Sequence, residues 1–257
     1  MSINNRKFDK RKAPQDGGGV WIYGKHAASA AIQNPERSIS RICMTKSTAA
    51  QFYVPEGLNV FPEIVEGKYL DNLFQNQTHQ GVAVQVKALP ELEIEDVFAK
   101  DFKDEDKISL VIILDQVTDP QNVGAIMRSA AAFGAAAIIM PKDNSPKETT
   151  ALAKAASGAL EVLPLIKVTN LASAMEYLKE LGFWIIGMDG SAKDFLSEID
   201  PSKKTAIVMG AEGVGMRRLT QETCDFITKL PISDKVESLN VSSAAAIALY
   251  EIRQKLK

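Results

Sequence analysis

Three stretches carry side chains able to do chemistry. In "DQVTDPQNVGAIMRS" (115–129) the amide of Asn122 and the guanidinium of Arg128 lie in one helical run. In "VMGAEGVGMRRLT" (208–220) Gly210, Gly213 and Gly215 surround one acid, Glu212. In "ESLNVSSAAAIALYE" (237–251) Ser238, Leu239 and Asn240 stand where a helix begins. Such groups suit an anionic ligand that also has a polar group to orient: a guanidinium forks onto phosphate, and Glu212 is placed to orient a polar group. Asn122 falls in a first helical turn, where free amides favour a nearby anion. The missing side chain at Gly124 is expected to leave ligand room beside Arg128. Each stretch also has a plainer reading: a capped helix with a surface arginine, a tight turn, and ordinary Ser or Asn helix caps.

Other chemistries find little support. The two histidines, His26 and His79, and the two cysteines, Cys43 and Cys224, are scattered, with no C-x-x-C and no zinc-ligand spacing, so no metal site is expected. A Ser-His-Asp or Cys-His mechanism would need a histidine that sequence places far from the glycine loop. The glycine order is G-x-x-G-x-G rather than G-x-G-x-x-G, which makes a dinucleotide-binding dehydrogenase a weak alternative.

These residues must be positioned by a regular alternation. From 108 onward, "ISLVIILD" reads as a buried strand, and Asp119-Pro120 as an N-cap followed by proline at the first helical position of "QNVGAIMRSAAAF". "AAAIIM" (strand), "ETTALAKAAS" (helix), "LEVLPLIKV" (strand) and "NLASAMEYLKELG" (helix) follow, then strands "FWIIGMD", "TAIVM" and "DFITKLPI". A last helix, about 240–256, aligns Val241, Ala245, Ala248, Leu249, Ile252 and Leu256 on one face. Strands alternating with helices imply a parallel sheet, with its ligand beyond the carboxyl ends of strands. Residues 20–88 form a shorter α/β alternation: "VWIYG", "ISRICMT" and "GVAVQVK" as strands, "KHAASAAIQN" and "GKYLDNLFQ" as helices. The acidic stretch 89–107 reads as a linker with a single helical turn.

The chain has a net charge of −2, yet residues 1–12 carry a net +4. Residues 1–19 are expected to form a disordered basic tail, suited to nucleic acid or merely solvated. No run approaches the ~18 apolar residues of a membrane span, and no apolar stretch follows the basic start as in a secretory signal. The expected location is the cytoplasm, with no membrane partner.

In this order the three stretches resemble the SpoU (TrmH-like) branch of the SPOUT RNA methyltransferases, while "YGKHAASAAI" and "THQGVAVQV" look like the start and end of its ribosomal L30e-like substrate-binding domain. The resemblance covers about residues 20–254 and is greatest to bacterial 23S rRNA guanosine-2′-O-methyltransferases acting on the P-site loop. It implies an L30e-like α/β domain at 20–88, a linker at 89–107, and a SPOUT parallel-sheet domain at 108–257 with a deep trefoil knot. It implies a homodimer, an RNA substrate, and S-adenosylmethionine held by Gly210, Leu230, Ile232 and Leu239. Arg128 matches the family's essential arginine, expected to hold the phosphate beside the target ribose; Asn122, Glu212, Ser238 and Asn240 would orient it, the hydroxyl and the cofactor. The alternatives are a tRNA ribose methyltransferase and a non-catalytic RNA-binding assembly factor of the same fold. Lys25, His26, Arg41 and Lys46 are candidate RNA contacts. Two departures stand out: Asp234, where many relatives have glycine, in a loop that could demand the left-handed region, and Ala246 in the last helix.

Overall fold

The computed structural model describes residues 19–98 and 107–256; residues 1–18 of the expected basic tail and 99–106 of the expected linker lie outside them. The first part is built on strands β1 (Val20–Tyr23), β2 (Ile39–Thr45), β3 (Pro62–Val65) and β4 (Val82–Val86). Helices α1 (Lys25–Gln33), α2 (Lys46–Ala49) and α3 (Gly67–Leu73) connect them. The sheet order is β1-β4-β2-β3, with β4 antiparallel to both neighbours and β2 parallel to β3. Strand β3 escapes the sequence pattern because its polar alternation is short and opens on Pro62, which suits the edge of a sheet only.

Next come α4 (Ile94–Phe98), β5 (Ser109–Leu114), α5 (Pro120–Ala132), β6 (Ala137–Pro141), α6 (Thr150–Ala156) and β7 (Leu165–Val168). The chain ends with α7 (Leu171–Glu180), β8 (Trp184–Met188), β9 (Asp194–Phe195), β10 (Lys204–Met209), α8 (Arg218–Thr223), β11 (Phe226–Lys229) and α9 (Val241–Lys255). Strands β5, β6 and β10 are buried at every position, as near-continuous apolar strands covered on both faces must be. Every pairing in this seven-stranded sheet is parallel, in the order β7-β6-β5-β10-β8-β11-β9. The apolar stripes hold: Leu171, Ala174, Met175 and Leu178 of α7 are buried, as are Val241, Ala245, Ala248, Leu249 and Ile252 of α9. Among the described residues no helix is long and apolar enough to cross a membrane.

Two expectations need correction. The strand expected over "LEVLPLIKV" begins only at Leu165; residues 159–161 form a 3-10 turn that buries Ala159 and Leu160. Pro164 separates the two pieces, since it lacks the N–H a longer strand would donate. The helical turn in the acidic stretch is present as α4, but it is docked rather than free, with Phe98 fully buried and edge-on to Phe183 at 5.9 Å.

Helix α5 lies tightly against α6. A Cβ on Gly124 would come within 2.6 Å of the Leu152 carbonyl oxygen and the Ala155 Cβ, and 2.9 Å from the Ala156 nitrogen. Two of those three neighbours are backbone and cannot swing aside. Gly124→Ala should therefore force the helices apart and cost about 1–3 kcal/mol, the usual range for overpacking. Urea denaturation measures this, and an unchanged midpoint would contradict the close packing.

Candidate functional site

Strand β10 is next to last in the large sheet's sequence order but central in space, pairing directly with β5 (Met209 opposite Leu114). From β5 the chain runs outward to β6 and β7 on one side; β10 and β8 lie on the other. The carboxyl ends of β5 and β10 thus meet at the point where strand order reverses, the usual ligand crevice of such sheets. Helix α9 then packs on α5 and brings the third stretch alongside.

There the side chains of Asn122, Glu212 and Asn240 join. The Asn240 amide Nδ2 donates to Asn122 Oδ1 at 3.0 Å and to Glu212 Oε1 at 2.7 Å. Asn240 is also the N-cap of α9, its Oδ1 accepting the Ser242 backbone N–H at 2.9 Å. Glu212 Oε1 accepts the Val241 N–H at 2.9 Å, placing a negative charge at the positive end of a fifteen-residue helix. One residue from each sequence stretch thereby enters a single network.

The loop carrying Glu212 is fixed at its base. Ala211 and Gly215 exchange backbone hydrogen bonds of 3.1 and 2.9 Å. A Cβ on Gly210 would lie 2.3 Å from the Gly215 carbonyl carbon and 2.4 Å from the Met216 nitrogen, so only glycine fits there. Asp115, fully buried at the end of β5, accepts the Arg217 backbone N–H at 2.8 Å and its Nε at 2.7 Å. Sequence reasoning passed over this pair; the available signal was an acid closing the apolar run "VIIL".

The remaining candidates lie around the network. Arg128 is exposed on α5, six residues beyond Asn122, with no hydrogen bond or ion pair among the described residues. Ser238 is exposed and does not join the network. Leu230 is half-buried against the main core, Leu239 is half-buried, and Ile232 is 40% exposed. Between 231 and 239 a single backbone hydrogen bond forms, Val236 N–H to Ser233 C=O at 3.4 Å, so the main-chain groups of Ile232 and Leu239 are unpaired among the described residues.

Several expectations are overturned. Gly124 faces α6 rather than a ligand, while Arg128 faces solvent. The amides at the start of α5 are not open to an anion: Asp119 takes those of Gln121 and Asn122 at 3.3 and 3.1 Å, as an N-cap does. Asp234 lies in an exposed turn and does not adopt positive φ, so no backbone strain follows from the missing glycine. Arg41 is engaged in a two-pronged pair with Glu63, 2.9 and 2.7 Å, whereas Lys25, His26 and Lys46 are exposed.

The two histidines and cysteines lie outside the site. His79 Nε2 meets Asp71 at 3.0 Å while its Nδ1 accepts the Gly81 N–H. Burial pushes the Cys43 thiol up to about 11; burial and the neighbouring Asp225 carry that of Cys224 to about 12. Neither is a thiolate near neutrality. Among the described residues no group of three His, Cys, Asp or Glu side chains is arranged to hold a metal ion.

Fold and site together define an α/β protein in which three loops meet in one hydrogen-bonded junction at the carboxyl edge of the larger sheet. Comparison with known proteins is more specific. The SpoU rRNA Methylase family description matches residues 109–250, and that for RNA 2′-O ribose methyltransferase substrate binding matches 21–92. The 23S rRNA (guanosine-2′-O-)-methyltransferase RlmB of Vibrio vulnificus is 42% identical over 246 residues, spanning 92% of this chain and 97% of that protein. Its counterpart in Vibrio cholerae is 39% identical over 244 residues, spanning 91% and 97%. The crystal structure of the SpoU methyltransferase AviRb from Streptomyces viridochromogenes, in complex with AdoMet, superposes with a TM-score of 0.74 over 93% of this chain and 90% of that one; at 20% identity this speaks for the fold. The chain belongs to the SpoU rRNA methylase family.

The network predicts an asymmetry between neighbours in the third stretch. Asn240→Ala removes an N-cap and the bridge to Asn122 and Glu212, and should cost about 1–2 kcal/mol. Ser238→Ala should stay within about 0.5 kcal/mol. Chemical denaturation of both variants checks this; equal losses would contradict the bridging role of Asn240.

Proposed function

We propose that this chain transfers a methyl group from S-adenosylmethionine to a ribose 2′-hydroxyl of RNA, with a guanosine in the P-site loop of 23S rRNA as target. The observation that carries the reading is the junction of Asn122, Glu212 and Asn240 at the sheet's switch point, in a chain of this family. The lining fits the cofactor: Leu230, Ile232 and Leu239 offer apolar walls, the last two with unpaired main-chain groups beside them, as an adenine ring requires. S-adenosylmethionine, when bound, supplies an electrophilic methyl group on a cationic sulfur. Gly210 and the three apolar residues would hold it, and the Asn122–Asn240–Glu212 network keeps the surrounding loops in place. In-line transfer between two bound groups gains most from such positioning.

Arg128 holds the phosphate beside the target ribose and stabilises the negative charge that grows on the attacking oxygen. A guanidinium stays protonated in proteins, so it acts as a donor and charge, not as a base. Ser238 orients the hydroxyl. Six residues separate Arg128 from Asn122, about 9 Å along the helix and well round its circumference. Its exposure and lack of a partner support a reading in which it serves the site of a second copy, in a homodimer. Exposed Ile247 and Tyr250 on α9 supply apolar surface for that contact. The return of α9 from beyond β8 and β11 to pack on α5 supports a chain threaded as a deep trefoil knot. The separation of the two sheets supports a division into 20–88 for substrate binding, 89–107 as linker and 108–257 for transfer, with α4 of the linker stretch docked on the larger unit.

Incubation with S-adenosylmethionine and 23S rRNA lacking 2′-O-methyl marks, followed by alkaline cleavage, should reveal one newly protected guanosine in the P-site loop. Protection elsewhere overturns the target, and none overturns the reaction. Arg128→Ala should lower kcat at least 100-fold, the scale for losing a group that stabilises transition-state charge. Calorimetry should find its cofactor affinity within twofold of wild type. A wild-type rate from this variant would remove Arg128 from the mechanism.

A further inference from the structure

Arg37 lies in the turn between α1 and β2, yet its side chain is fully buried, paired with acids that flank α6 of the larger unit. Its Nε and Nη2 fork onto the two carboxylate oxygens of Glu161 at 3.0 and 2.7 Å. Its Nη1 donates to Glu148 Oε1 at 2.6 Å and to the Lys87 carbonyl at 2.9 Å. Asn34 adds a bond to Glu161 at 2.9 Å, and the second Glu148 oxygen takes the Leu89 N–H at 3.1 Å.

The placement of the two acids matters. Glu148 directly precedes Thr149, the N-cap of α6, and Glu161 closes the 3-10 turn just after that helix. Arg37 therefore ties together the segments that lead into and out of α6. At its middle, Lys154 Nζ donates to Gln77 Oε1 at 2.7 Å and lies 5.1 Å over the Tyr23 ring. Helix α6 in turn is pressed against Gly124 of α5, and α5 carries Asn122 and Arg128. A continuous set of stiff contacts thus runs from the small sheet's unit to the residues of the transfer site. A buried guanidinium paired in this way resists sliding, because any shift strands charges away from water.

We infer that Arg37 is a positioning residue: it locks the small-sheet unit onto α6, so that RNA selection and methyl transfer are made by one rigid body with a fixed distance between them. This rests on the reading of the chain as an RNA methyltransferase.

The test removes the whole cluster together, Arg37→Met with Glu148→Gln and Glu161→Leu, leaving no buried charge unpaired. A milder variant, Arg37→Lys, keeps the charge and loses the fork. Spin labels at Glu56→Cys and Glu176→Cys, both exposed positions, report the distance between the two units. In the triple variant the distance distribution should broaden at least twofold and kcat on 23S rRNA should fall at least tenfold. KM for RNA should stay within threefold, S-adenosylmethionine affinity within twofold, and protection from alkali should spread to neighbouring nucleotides. Arg37→Lys should show the same changes in smaller measure, and decides the matter if the triple variant does not fold. An unchanged kcat and product map with normal cofactor binding overturns the inference. Should wild type leave rRNA unmethylated, the RNA reading fails by itself, and the distances still decide the lock: narrow in wild type and broad in the variant upholds it, equal widths overturn it.

Discussion

The site depends on one primary amide. Asn240 has two N–H donors and a carbonyl oxygen, and all have partners: Asn122, Glu212 and the Ser242 backbone. That saturation also fixes its orientation, since a flipped amide would set its oxygen against the Glu212 carboxylate. The start of α9 is thereby held simultaneously to the first turn of α5 and to the glycine loop after β10. Without this bridge the first turn of α5 would lose its side-chain link to the other two stretches, leaving the Glu212–Val241 bond to tie the glycine loop to α9. An aspartate could cap α9 equally well, yet would face Glu212 with like charge; capping alone therefore does not account for asparagine here.

Around that bridge the structure divides into a fixed frame and an open rim. Asp115 buries its carboxylate to hold Arg217, and the Gly210–Gly215 contact closes the loop on itself, so Glu212 is presented from a base with little freedom. Residues 231–238 are the reverse: exposed, with one backbone bond among them. A reaction that relies on alignment needs its orienting groups set before the substrate arrives, because any ordering left until then is subtracted from binding. A ligand with a planar ring and several polar edges, by contrast, is well served by main-chain groups not already paired.

What the sequence disclosed follows the range over which each force acts. Helix stripes and caps are local, so α5, α7 and α9, their buried faces and the Asp119 cap were legible within a few residues of chain. The three site stretches were legible because each is a strand end followed by a helix start. Partnerships across the sheet were not. Asp115 and Arg217 are 102 residues apart, and Arg37 and Glu161 are 124 apart; neither member of a pair announces the other. Gly124 shows the same limit from another side. A glycine one turn from an arginine looks like space for a ligand, and only the approach of α6 shows that the space is already filled.

The late position of the glycine loop follows from the same topology. Strand β10 inserts between β5 and β8, so its pairing with β5 spans the sequence from 109 to 209. Such non-local pairing is slow to form, because the entropy of closing the intervening chain is lost before the contacts repay it. Asn240 then joins Asn122 across 118 residues, a contact that cannot form until β10 is in place and α9 has packed. The three stretches therefore share a geometry only in the complete fold, each lying on a separate element.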